Sequence, residues 1–98
     1  MLVDVTAGSD RFSGKLTNVS RSGIAFAAFD RIPVGSRISV RLVETGIQVA
    51  LNCKVVRAKQ APESDVIEYG VILEANGRVV SDLWVNYLHE LASEGKVA

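Results

Sequence analysis

From Ser36 to residue 74 the apolar side chains recur mostly at every second position, and beyond Asn76-Gly77 they recur at every third and fourth. That change of period constrains the fold more than any other feature of the chain. Ile38, Val40 and Leu42 point one way, and Arg37, Ser39 and Arg41 the other. After a turn at Glu44-Thr45-Gly46, the next strand turns Ile47, Val49, Leu51, Cys53 and Val55 inward, with Gln48, Asn52 and Lys54 facing out. The phase slips at Val55-Val56, because Arg57 and Lys59 become the polar positions, and this predicts a bulge. Residues 2–6 read as an opening strand closed by the turn formers Ala7-Gly8-Ser9-Asp10. Residues 11–20 are extended, 23–29 form a short apolar strand, and Ile32-Pro33-Val34-Gly35 is a turn. A polar loop over 60–65 leads to a last strand at 66–74, with Ile67, Tyr69, Val71 and Leu73 on one face.

Past that point Val80, Leu83, Trp84, Tyr87, Leu88 and Leu91 follow helical spacing. At about 100° per residue they span roughly 140° of one wheel, a single apolar stripe. A lone amphipathic helix over about 78–92 cannot bury its stripe by itself and must dock on the sheet. About six short strands at this spacing favour an all-β fold, a closed or nearly closed antiparallel barrel, because closure removes exposed edges. The expectation is one domain over residues 1–98, with strands across about 2–75 and a fraying tail at 93–98.

Composition narrows the function classes. The chain has 98 residues and is 48% apolar, enough for one core. It carries 11 basic and 11 acidic side chains, so no bulk positive field draws it to DNA or RNA. The outward faces also lack aromatics interleaved with Lys and Arg, which argues against a barrel that stacks nucleic-acid bases. A single Cys excludes an internal disulfide framework and agrees with a reducing compartment. The longest wholly apolar run, residues 24–29, is far short of a membrane span. No secretory signal opens the chain, and a cytoplasmic location is expected. The charge is nonetheless uneven: residues 1–41 carry six basic and three acidic side chains, residues 42–98 five and eight.

Catalytic chemistry finds few candidates. His89 is the only His and lies on the wheel face opposite Val80, where it is solvated. Cys53 has the inward register of an apolar strand, where a thiol behaves as a small inert hydrophobe. Glu63 and Asp65 read as a solvated loop and not a metal cluster, and no phosphate-cradling glycine motif occurs. The chain is read as non-enzymatic, with no metal and no cofactor.

One segment stands out. Asn18-Val19-Ser20-Arg21-Ser22-Gly23 gathers short polar side chains, a guanidinium and a glycine between two apolar stretches. Asn18 and Ser20 offer the neutral donors and acceptors that read a base edge. Gly23 either lets the backbone approach a ligand closely or takes a positive φ. Arg21 can pair with phosphate or stack on a purine. The plain alternative is an ordinary Asn/Ser/Gly turn between strands.

Lys15-Leu-Thr-Asn-Val-Ser-Arg-Ser-Gly-Ile-Ala-Phe resembles the [D/N]xSxxG signature of PilZ domains. Ile32-Pro-Val-Gly-Ser-Arg-Ile-Ser-Val-Arg-Leu, the Val55-Val56-Arg57 strand end and Glu68-Tyr-Gly-Val-Ile-Leu are similar to further family segments, in the family's order. The resemblance covers about residues 11–75. It implies a six-stranded antiparallel barrel followed by a helix, and a receptor for the second messenger cyclic di-GMP. Asn18 and Ser20 would then contact a guanine edge and Gly23 would permit the chain reversal; Arg21, by the chemistry of its guanidinium, is a further candidate for the ligand site. The family's regulatory role implies an attached domain or partner protein that feels ligand binding; the short apolar runs separately argue against direct membrane insertion by this segment.

The family also uses an upstream RxxxR segment to clamp phosphates. Only Arg11 precedes Asn18 here, and Arg37-Ile-Ser-Val-Arg41 follows the signature on what reads as a solvated strand face. Either the arginine pair lies before Met1 in a parent protein, or this is a divergent member without it. The competing reading is a degenerate PilZ-like adaptor that binds protein and no nucleotide, with an exposed Trp84–Tyr87 stripe as its surface.

Overall fold

The structure, a computed structural model, describes residues 1–43 and 50–93. Six strands are formed: β1 (Leu2–Ala7), β2 (Asp10–Val19), β3 (Gly23–Ala28), β4 (Arg37–Leu42), β5 (Ala50–Gln60) and β6 (Ile67–Leu73). One helix, α1 (Arg78–Ser93), follows. The strands close into an antiparallel barrel in the order β1-β2-β3-β6-β5-β4, so the expected architecture is observed. Two pairings are non-sequential, β3 with β6 and β1 with β4, and these close the ring.

The alternation read from the sequence sets the interior. Val3, Val5, Ile38, Val40, Leu42, Leu51, Cys53, Val55, Ile67, Tyr69 and Val71 are all buried. Phe26 and Tyr69 are register partners, with ring centroids 5.4 Å apart. The turn at 44–46 and the inward Ile47 and Val49 lie outside the described residues, as do outward Gln48 and residues 94–98 of the tail. β3 stops one residue sooner than its apolar run: Ala28 takes the last inward position, and Phe29 alternates outward to 71% exposure. Tyr69 ties the following loop down. Its hydroxyl donates to the Asp30 carbonyl (2.6 Å) and accepts from the Ile32 N–H (2.9 Å).

The predicted bulge in β5 is present, between Val55 and Arg57. A second, in β2 between Leu16 and Asn18, has no counterpart in the sequence reading. It reverses the phase of that strand: Gly14 is buried before it, whereas Val19 is buried after it.

Helix α1 docks as its stripe requires, with Trp84, Tyr87, Leu88 and Leu91 buried and His89 exposed. Burial of such side chains stabilises by roughly 2 kcal/mol each. No acidic side chain stands in the first turn and no basic one in the last, so packing and not dipole compensation holds the helix. Among the described residues no helix is long and apolar enough to cross a membrane.

The change of period at Asn76-Gly77 has a structural cause. The Asn76 amide pairs with the Asn52 main chain as a strand would, accepting from its N–H (2.8 Å) and donating to its carbonyl (2.9 Å). Ala75, at φ 59°, turns the chain out of β6 toward α1.

Candidate functional site

The two bulges build the site. Without them Asn18 and Arg57 have the parity of inward residues; with them both point outward. The register then joins them in one row across four strands. Asn18 pairs with Ala25, Ala25 with Gly70, and Gly70 with Arg57. Three steps of about 4.8 Å separate the outer strands, roughly 14 Å in all. The two middle positions carry only a methyl group and a hydrogen, so the row is low between Asn18 and the Arg57 side chain, which folds back over Gly70. A hollow of about 350 Å³ opens there, lined by Asn18, Ser20, Ser22, Gly23, Arg57 and Gly70 among others. Exposed Val56 and Ile72 add apolar surface at its rim.

Three of the four candidate residues from the sequence line this hollow. Asn18 is exposed, and its Oδ1 accepts from the Val19 N–H at 2.8 Å, which leaves its amide NH₂ without an acceptor among the described residues. The Ser20 hydroxyl reaches the Gly23 carbonyl at 3.4 Å, longer than a strong O–H···O bond. Both are engaged locally, yet both retain capacity for a ligand in the adjoining space. Gly23 is needed for close approach and not for a left-handed backbone. Its φ is not positive, and a Cβ there would collide with the main-chain oxygen of Val71 on β6. Arg21 stands in the exposed turn, and its side chain is not part of the hollow's lining. Its carbonyl accepts from the Trp84 indole at 3.3 Å.

Arg57 escaped the sequence search for site residues. Its guanidinium lies over Gly70, where an added Cβ would sit 3.2 Å from Nε and from Nη2. It has no hydrogen-bond or ion-pair partner among the described residues, so its five donors are available. The phase slip at Val55-Val56 signalled that Arg57 faces out, but only the pairing of β5 with β6 and of β6 with β3 brings it to the hollow that Asn18 lines. Arg37 and Arg41 lie elsewhere, on β4, paired with Glu74 (3.2 Å) and Asp4 (2.8 Å) respectively.

The remaining chemistry is quiet. Burial pushes the Cys53 thiol up to about 12, far from a reactive thiolate near neutrality. Among the described residues no three His, Cys, Asp or Glu side chains gather as a metal site.

Comparison with known proteins adds three findings. The family model of the PilZ domain matches residues 1–87. No curated protein matches the chain in sequence. The structure of the Bacillus subtilis inhibitor of motility (MotI/DgrA) is similar, with a TM-score of 0.71 at 17% identity over 95% of this chain and 47% of that one. The chain thus spans about half the length of that protein, and the likeness is one of fold.

Proposed function

The chain belongs to the PilZ domain family, and from that premise we propose that it is a cyclic di-GMP-binding regulatory domain that passes ligand occupancy to an attached domain or partner protein. The observation that carries the reading is the Asn18–Ala25–Gly70–Arg57 row and the hollow above it. A guanine needs edge partners, a flat space and, for its phosphate, a cation. The Asn18 amide and the Ser20 hydroxyl supply the edge partners. Ala25 leaves the floor low beside Asn18, and the Arg57 guanidinium covering Gly70 offers a flat face for a ring to lie against. Arg57 supplies a guanidinium for stacking or for bidentate phosphate contact, and Arg21 a second one from the turn above. One charge-assisted contact of this kind is worth about 1.5–3 kcal/mol, roughly tenfold to a hundredfold in affinity.

The adaptor alternative needs an exposed aromatic stripe. Trp84 is 4% exposed and Tyr87 6%, because α1 spends that face on the barrel.

Calorimetric titration with cyclic di-GMP tests the proposal, using this chain and a version extended upstream by its natural sequence. Micromolar or tighter binding that Ser20→Ala weakens is the expected result. No such binding in the extended version, and no difference between it and Ser20→Ala, defeats the proposal.

A further inference from the structure

Besides the long contact of the Ser20 hydroxyl with the Gly23 carbonyl, three hydrogen bonds hold the turn between β2 and β3. Two are main chain to main chain: the Ser20 N–H donates to the Gly23 carbonyl, and the Leu73 N–H to the Ser22 carbonyl, each at 2.9 Å. The third comes from a side chain far away in sequence. Trp84 on α1 donates its indole N–H to the Arg21 carbonyl at 3.3 Å. The indole is itself fixed: it is 4% exposed and packs on Tyr87 with ring centroids 5.7 Å apart.

The Arg21 carbonyl and the Ser22 N–H belong to one planar trans peptide, so they point in opposite directions. Holding the carbonyl toward α1 therefore aims the N–H away from α1. That N–H has no acceptor among the described residues, and Ser22 lines the hollow. Trp84 does not line it.

We infer that Trp84 is a positioning residue for the ligand site: through the Arg21 carbonyl it orients the Arg21–Ser22 peptide so that the Ser22 N–H is presented to an acceptor oxygen of the bound nucleotide. The inference rests on the nucleotide-binding reading and adds a donor and a support to it. It also links the helix to the site. A ligand that pulls on the Ser22 N–H polarises the same peptide's carbonyl, strengthening its bond to Trp84, and the coupling is reciprocal.

The test replaces one atom group. Trp84 is the only tryptophan, so its indole N–H gives a single, readily assigned NMR resonance. Substitution of Trp84 by β-(3-benzothienyl)alanine keeps the ring's shape and removes the donor, and Trp84→Phe is the genetic counterpart. The isosteric variant is expected to melt with the wild type and to bind cyclic di-GMP about three- to tenfold more weakly. In the wild type the indole resonance is expected to shift in step with saturation. Equal affinity for the isosteric variant, or an indole resonance that stays fixed while the Ser20–Gly23 amides move, overturns the inference and leaves the nucleotide-binding reading intact. If calorimetry finds no nucleotide bound to the wild type and no resonance moves, the nucleotide-binding reading itself fails and takes the inference with it.

Discussion

Asn18 and Arg57 stand at opposite ends of one cross-strand row, and each faces outward because a bulge in its own strand has reversed the phase. Between them lie only Ala25 and Gly70. Main-chain pairing thus fixes the backbone positions from which a polar amide and a guanidinium, unpaired among the described residues, reach the hollow. Arg57→Ala is expected to weaken cyclic di-GMP binding about tenfold or more. Because Arg57 is exposed and unpartnered among the described residues, unfolding free energy should move by no more than about 0.5 kcal/mol. Calorimetry and urea denaturation on the same preparations separate the two effects, and an unchanged affinity removes Arg57 from the site.

Gly23 is a packing requirement before it is a binding one. A methyl group there would be driven into the Val71 main-chain oxygen, and the β3–β6 ladder fixes both strands. Gly23→Ala should therefore destabilise by about 1–3 kcal/mol, as overpacking does. Ser22→Ala, one residue away and exposed, should stay within about 0.5 kcal/mol of wild type. Comparable urea midpoints for the two variants contradict the close-approach account.

Tyr69 anchors the loop after β3 through its hydroxyl, which bonds both Asp30 and Ile32. Tyr69→Phe keeps the buried ring and its contact with Phe26 but leaves the Ile32 N–H, a buried donor, without its partner. The expected cost is about 1–3 kcal/mol, read from the urea midpoint at unchanged slope. A variant as stable as wild type shows that the loop does not depend on this bond.

Cys53 makes the stability pH-dependent in the alkaline range. Its thiol pKa is raised from 9.0 to about 12 by burial, so between those values the native state keeps a proton that the unfolded chain releases. Unfolded protein then binds fewer protons than native, and stability falls as pH rises above about 9. Cys53→Ala removes this contribution and should flatten the decline between pH 9 and about 10.5, despite a lower stability throughout from the lost side chain. The same burial predicts that a thiol reagent labels Cys53 at the rate of unfolding; fast labelling of the native protein contradicts it.

Much of the barrel is legible in local pattern. Ile38, Val40 and Leu42 face in and Arg37 and Arg41 out because a strand has period two. The helix stripe through Trp84, Tyr87, Leu88 and Leu91 follows from period 3.6. The β5 bulge shows as a phase slip because Val55 and Val56 are both apolar and Arg57 and Lys59 follow. The β2 bulge does not show: in Leu16-Thr17-Asn18-Val19 the polar and apolar residues admit either phase, and the pairing with β3 chooses one. The Asn18-to-Gly23 segment is visible as a candidate site by its residue types, but the reason for Gly23, a neighbouring strand's carbonyl, is not.

The sequence by itself determined the strands, the single helix, the side chains of the core and the polar turn that carries Asn18, Ser20 and Gly23. Tertiary structure alone decided that Arg57 faces the same hollow as Asn18, that Arg37 and Arg41 pair with Glu74 and Asp4, and that Trp84 grips the Arg21 carbonyl. The physical reason is the range of the forces involved. Side-chain period is a local property of the backbone, whereas the pairing of β3 with β6 and the seating of α1 follow from closing the barrel around one core, which couples residues tens of positions apart.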